Sequence, residues 1–372
     1  MIYFDNAATT FPKPECVYKS IRECIECYCG NPGRSSHTMS QKSAEEIYKT
    51  REAVAGLLNI ENPERVIFTQ NATHALNLAI KTAIPDGAHV IISDIEHNSV
   101  IRPLVSLART HGVEYSVFSS SGDIEENIKS LIRKNTKAII CNLLSNVNGK
   151  EIDMKTLSEL CRKHGLLFIA DASQKIGHKA IDLKKTPCDI LCAPGHKSLF
   201  GIQGVGFCVM CDGKLRESFI EGGSGSESLN PEMPRFLPER YEAGTLPTPS
   251  IASLRSGIDF INKIGISNIE RHLEMLTKAL KERLLDFDKV SLVSGENGVI
   301  SFNILNAPST KIASLLDEYG ICTRGGLHCC PGAHRLLGTE KIGTVRVSLS
   351  YFNQECEIEG LCRAIEKITA AI

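Results

Sequence analysis

Between Arg65 and Met210, short apolar runs alternate with segments whose apolar residues recur at helical spacing. Aliphatic, β-branched runs bounded by turn residues read as buried strands. They fall at Arg65–Thr69, His89–Ser93, Glu114–Phe118, Ala138–Asn142, Leu166–Ala170, Ile190–Ala193 and Val205–Met210. Helices are expected between most of them, at Thr73–Ile84, Ser99–His111, Ile124–Lys134 and Met154–His164. Ahead of this block, Ala44, Ile47, Tyr48, Arg51, Val54, Ala55 and Leu58 share one helix face. Strand–helix alternation of this kind predicts an α/β fold, with a mostly parallel seven-stranded sheet and helices on both faces.

The pattern breaks at Glu221–Pro249, where Gly222-Gly-Ser-Gly-Ser226 and five prolines mark a long irregular stretch. A loop of that length inside a compact protein is usually functional or interfacial. Beyond it, two long helices are expected at Ile251–Ile264 and Asn268–Phe287. Strands near Val299–Leu305 and Thr344–Ser350 then alternate with helices near Thr310–Tyr319 and Gln354–Ala371. That composition fits a smaller C-terminal α+β domain.

The 372 residues suffice for a large core, and a net charge of −1 carries no electrostatic footprint for nucleic acid or an anionic membrane. No apolar run approaches the ~20 residues that span a bilayer, and the N-terminus shows no leader pattern, so a cytoplasmic location is expected. In that compartment the 15 cysteines should be reduced thiols. Cys141, Cys161, Cys192 and Cys208 read as small core residues. Cys24, Cys27 and Cys29 on one helix, and Cys208 with Cys211, lack a second well-spaced pair for zinc, so no metal is expected.

Chemistry enters at strand ends. One strand delivers Asp171 in Asp171-Ala-Ser-Gln174, and another delivers Gly195-His196-Lys197. Ligands of open α/β sheets collect at the carboxyl ends of strands. Pyridoxal phosphate needs a lysine amine for its Schiff base and a carboxylate for its ring nitrogen, so Lys197 and Asp171 together suit it. Thr73, where a strand turns into a helix, can meet a phosphate, or can simply cap its own helix. His97 follows another strand and can stack on a planar ring, although alone it reads as an exposed loop histidine. Asn146 can serve cofactor or substrate, or mark a turn. Alternation places Arg346 on the face away from the small domain's core. There it meets either a cleft, where guanidinium suits a carboxylate, or solvent as an edge-strand charge. Cys329, in Arg324-Gly-Gly-Leu-His-Cys329, sits on a glycine-rich and so mobile, exposed segment and is a candidate nucleophile.

These motifs together resemble the fold-type I enzymes of the class V aminotransferase family, and within it the cysteine desulfurases. The resemblance runs nearly end to end. It starts at Tyr3-Phe-Asp-Asn-Ala-Ala-Thr-Thr10 and Asn31-Pro-Gly-Arg-Ser-Ser-His37, and takes in Glu96-His97-Asn98 and Ser145-Asn146-Val147. It continues through Tyr241-Glu-Ala-Gly-Thr245 to the Cys329 motif and Arg346-Val-Ser-Leu. It implies that Lys197 holds pyridoxal phosphate, Asp171 pairs the ring nitrogen, Gln174 the ring hydroxyl, and His97 stacks on the ring. It further implies Thr73 and His196 at the phosphate, with Thr245 reaching the phosphate of a partner subunit. Asn146, Arg346 and Arg34 would hold the substrate, and Lys197, Cys329 and His97 would carry catalysis. The expected division is a large domain over 15–250 and a small one formed by 1–14 with 251–372.

A homodimer is implied, acting on L-cysteine and yielding alanine and a persulfide on Cys329; selenocysteine is the rival substrate. Transamination or β-elimination on the same scaffold, and a non-catalytic sulfur carrier, are the other readings. The short spacing from Cys329 to Arg346 is similar to the group II branch (SUF-type and selenocysteine-lyase-like), which often needs a sulfur-acceptor protein. Pro194 stands where the family usually has a hydroxyl residue, and Leu327 and Cys330 are unusual beside the nucleophile.

Overall fold

The structure is a computed structural model describing residues 1–33 and 35–371. Its strands are β1 (Ile2–Tyr3), β2 (Val66–Thr69), β3 (His89–Ser93), β4 (Glu114–Phe118), β5 (Thr136–Asn142), β6 (Leu167–Asp171) and β7 (Ile190–Pro194). They continue as β8 (Gly206–Met210), β9 (Val290–Glu296), β10 (Val299–Ile304), β11 (Ile321–Cys322), β12 (Arg324–Gly326) and β13 (Thr344–Ser348). Its α-helices are α1 (Glu15–Glu23), α2 (Thr38–Leu58), α3 (Ala72–Ala83), α4 (Asn98–His111), α5 (Ile124–Lys129) and α6 (Met154–His164). After the irregular stretch come α7 (Thr248–Ile264), α8 (Ile266–Leu285), α9 (Ser309–Glu318), α10 (Pro331–Leu336) and α11 (Glu355–Ala371).

A seven-stranded sheet runs in the order β2-β8-β7-β6-β5-β3-β4. β8 is antiparallel to both neighbours, and the other six strands share one direction. Central strands such as β3 and β7 are buried throughout, as covering both faces with helices requires. Side chains start and stop the helices. Asn71 Oδ1 accepts from His74 N at 2.9 Å to cap α3, while Asp153 caps α6 and Gly165 closes it at φ +63. Because six strands are parallel, the chain leaves β2, β3, β5, β6 and β7 at the same edge of the sheet.

A four-stranded antiparallel sheet, β12-β13-β10-β9, lies under α8 and α9, and α11 packs against both helices. β1 pairs in parallel with β11, bringing the first residues beside the C-terminal segment. β9 was not expected from the sequence, because its half-exposed residues lack a clean alternation. The three N-terminal cysteines do not share one α-helix. Cys24–Tyr28 is a π-helical turn with Cys24 buried, and Cys29 lies beyond it, exposed like Cys27. Cys141, Cys161, Cys192 and Cys208 are core residues, as expected.

Candidate active site

The edge where these strands end opens on a cavity of about 230 Å³. Its wall brings together Thr73, His97, Asn146 and Asp171 with Gln174, His196, Lys197 and Arg346. Thr245 is exposed and stands outside that wall, and Arg34 lies outside the described residues. Cys329 is also absent from the wall, but its Sγ lies 3.9 Å from Nη2 of Arg324, which is part of it. The thiol is exposed at the rim.

Lys197 sits on the turn after β7, where burial pulls its amine down from the usual lysine range to about 8. Asp171 opposes that shift, and Arg346 and Arg324 add to it. Asp171, the last residue of β6, is buried and its Oδ1 accepts from Ser173 N at 2.9 Å. Pro194 closes β7 on the same wall.

His97 caps α4, its Nδ1 accepting from Ser99 N at 3.1 Å. It is half-buried rather than a loop histidine in solvent, and burial holds its imidazole near 4, so it is neutral. Thr73 does not cap its own helix; Asn71 does, and the Thr73 hydroxyl pairs with that of Ser99 at 2.8 Å. Burial likewise brings His196 down to about 4, and its carbonyl accepts from Lys13 Nζ at 2.7 Å.

Arg346 answers the cleft-or-solvent alternative. Strand β13 is flanked by β12 and β10, so it is no edge strand, and Arg346 is 1% exposed on the cavity wall. Its Nη1 donates to Asn146 O at 3.0 Å and its Nη2 to Asp5 Oδ1 at 2.6 Å. Asn146 Nδ2 in turn donates to His328 O at 2.8 Å.

The segment carrying Cys329 is pinned, against the expectation of mobility. His328 and Cys329 take left-handed φ of +49 and +56, a conformation that costs roughly 1–2 kcal/mol per non-glycine residue. Asn98 N donates to Cys329 O at 2.8 Å, and the buried Cys330 thiol donates to Ile95 O at 3.3 Å. Gly332 permits close approach, since a Cβ there would lie 2.2 Å from Asp94 O.

Several wall atoms lack a partner among the described residues: Oδ1 of Asn146, Oε1 of Gln174, Nδ1 of His328 and Nε of Arg346. A buried polar atom left unpaired costs roughly 1–3 kcal/mol, so acceptors and a donor gathered on one cavity wall call for a polar ligand. A lysine amine, a carboxylate, neutral imidazoles and the amino end of α3 fit pyridoxal phosphate in particular. Asp5 and Arg324 carry no individual signal in the sequence, and His328 reads there only as a weak metal-ligand alternative with Cys329, Cys330 and His334. All three stood inside quoted motifs, which was the available signal.

The chain belongs to the aminotransferase class-V family, whose model matches residues 2–361. Within it, the chain is 32% identical over 381 residues to a probable cysteine desulfurase of Methanothermobacter thermautotrophicus, covering 99% of this chain and 94% of the relative. It is 30% identical to a probable cysteine desulfurase of Pyrococcus abyssi, covering 100% and 95%. Among solved structures, the apo cysteine desulfurase of Thermococcus onnurineus superposes with a TM-score of 0.91 at 27% identity, covering 100% of this chain and 95% of that one. The fold is that of the fold-type I enzymes.

Proposed function

We propose that this protein is a pyridoxal-phosphate-dependent cysteine desulfurase that converts L-cysteine to alanine and takes the sulfur as a persulfide on Cys329. The observation that carries the reading is the exposed Cys329 thiol at the rim, beside Arg324, of a cavity holding Lys197 and Asp171. A transaminase or a plain elimination enzyme has no use for that thiol. The desulfurase relatives support the same assignment.

Enzymes of this family use pyridoxal phosphate, which when bound acts as an electron sink for charge developing at the substrate Cα. Lys197 would hold it, Asp171 would face the ring nitrogen, Gln174 the ring hydroxyl, and His97 the ring face. Thr73 and His196 would lie toward the phosphate. Arg346, with Asn146, would fix the substrate carboxylate through the guanidinium edge that carries the unpaired Nε–H. With its amine brought down to about 8, Lys197 can remove and return the Cα proton near neutral pH. The Cys329 sulfur, as thiolate, bonds to the substrate sulfur and the substrate C–S bond breaks. The electron pair stays with the carbon fragment, which is protonated and leaves as alanine. Thr245 and the partly exposed 221–247 segment would serve a homodimer, with Thr245 directed to the neighbouring site. We also propose the division into domains over 15–250 and over 1–14 with 251–372.

The test is purified protein supplied with cysteine, selenocysteine and cysteine sulfinate, following alanine and the released sulfur or selenium. Alanine with protein-bound persulfide from cysteine is expected. Amino-group transfer to a keto acid without persulfide would replace the desulfurase by a transaminase.

A further inference from the structure

His328 is buried, only 3% exposed, yet it lines the same cavity as Lys197 and Arg346 and immediately precedes Cys329. Its Nε2 lies 3.1 Å from Thr344 O and 3.0 Å from Thr344 Oγ1. A carbonyl oxygen only accepts, so Nε2 carries the hydrogen. The Thr344 hydroxyl is itself turned to Ser301 Oγ at 3.2 Å, which leaves that assignment undisturbed. With Nε2 protonated, Nδ1 presents a lone pair, and no described residue donates to it. Burial, helped by Arg346, keeps the ring neutral across the physiological range, so it is an acceptor and not a base. The wall residue His328 thus carries, next to the nucleophile, a buried acceptor that no described residue serves.

We propose that Nδ1 of His328 accepts a hydrogen bond from the substrate thiol, and so selects a protonated sulfur over an anionic selenolate or sulfinate. The inference rests on the desulfurase reading. A cysteine thiol, with an ordinary pKa of about 8.5, keeps its hydrogen at neutral pH. A selenol is a stronger acid and is ionised there, so it has no hydrogen to offer and meets a lone pair instead. Arg324, on the same wall, attracts anions. The preference is therefore a balance between two neighbours, and removing the acceptor tips it toward selenium.

Two substitutions separate the ring nitrogens. In His328→Gln the amide can still donate to Thr344 but places nothing at Nδ1. In His328→Asn the amide oxygen can take the Nδ1 position while the Thr344 bond is lost. We expect His328→Gln to lower kcat/KM for cysteine about tenfold, the scale of one hydrogen bond left unmade, with selenocysteine changed by less than about twofold. His328→Asn should keep the wild-type selenocysteine-to-cysteine ratio even if its Tm falls. Alkylation of Cys329 in cofactor-free protein should match wild type in both, showing the nucleophile segment intact.

The bland outcome is that Nδ1 serves the His334 ring, whose centroid lies 5.5 Å away and whose Nε2 is also unpartnered. Both substrates would then fall together in His328→Gln, and the proposal is overturned. If His328→Gln does not fold, His328→Asn decides alone, since a changed ratio there with normal Cys329 alkylation is equally fatal. A wild type releasing no alanine from either substrate sinks the desulfurase reading, and this inference with it.

Discussion

Arg346 and Asp5, separated by 341 positions, form an ion pair of 2.6 Å in which the guanidinium is 1% exposed and the carboxylate 22%. The pair holds the guanidinium of this wall residue, while its buried Nε–H has no partner among the described residues. Removing one partner of such a pair strands a buried charge. Asp5→Ala is therefore expected to destabilise the protein by about 3 kcal/mol in denaturant unfolding, with Asp5→Asn much milder. Arg346→Lys should raise KM for cysteine more than tenfold, because an ammonium cannot offer two parallel donors. An unchanged KM would remove Arg346 from the substrate site.

Lys197 should be the attachment point of the cofactor. Borohydride is expected to bleach the yellow protein and fix the cofactor mass on the peptide containing Lys197. Lys197→Ala should be colourless and show no added mass. Label on any other lysine contradicts the assignment.

Cofactor loading should depend on pH through the same amine. Below about 8 the Lys197 amine is mainly protonated and only its smaller neutral fraction reacts; above it the neutral form predominates. Burial keeps His97 and His196 near 4, so neither titrates in that window. The loading rate of cofactor-free protein should climb from pH 6 and level off above about 8. Asp171 raises the lysine value, so Asp171→Asn should move the midpoint to lower pH. A midpoint unmoved by that change would disconnect the two residues.

Cys329→Ser is expected to abolish both persulfide and alanine release from cysteine. Cys330 lies behind it, fully buried, with its thiol pushed up to about 12 by burial. Mass spectrometry after brief iodoacetamide treatment should find Cys329 alkylated and Cys330 untouched. Persulfide on Cys330 instead would shift the nucleophile by one residue.

If Thr245 serves a neighbouring copy, Thr245→Ala should weaken cofactor binding several-fold although it lies outside its own chain's cavity. Sedimentation should give a dimer, and a fully active monomer would refute the shared site.

Element positions were legible where local signals agreed. Strands β3 and β4 and helix α6 fall at their expected bounds, α6 because Asp153 and Gly165 bracket it. Helix α5 stops at Lys129 rather than Lys134, its apolar pattern outlasting its backbone bonding. The reversal of β8 was available in the sequence, since a short connection without a helix joins it to β7 and a parallel return needs a crossover. The strand-end residues Asp171, Lys197, His97 and Asn146 were legible because sheet direction alone gathers them. The Asp5–Arg346 pair was not, because no spacing rule reaches across so much chain. Nor was the burial of His328 beside an exposed Cys329, which depends on consecutive left-handed residues of ordinary type.

The parallel pairing of β1 with β11 sets a timetable for synthesis. Ile2 and Tyr3 have no strand to join until Ile321 and Cys322 are made, and Asp5 has no counterion until Arg346 is made. At about 5–20 residues per second that wait is roughly 20–70 s. The lysine and carboxylate of the sheet can be assembled before the guanidinium arrives. Nascent chains stalled before Arg346 should therefore be able to capture the cofactor yet be unable to fix a substrate carboxylate.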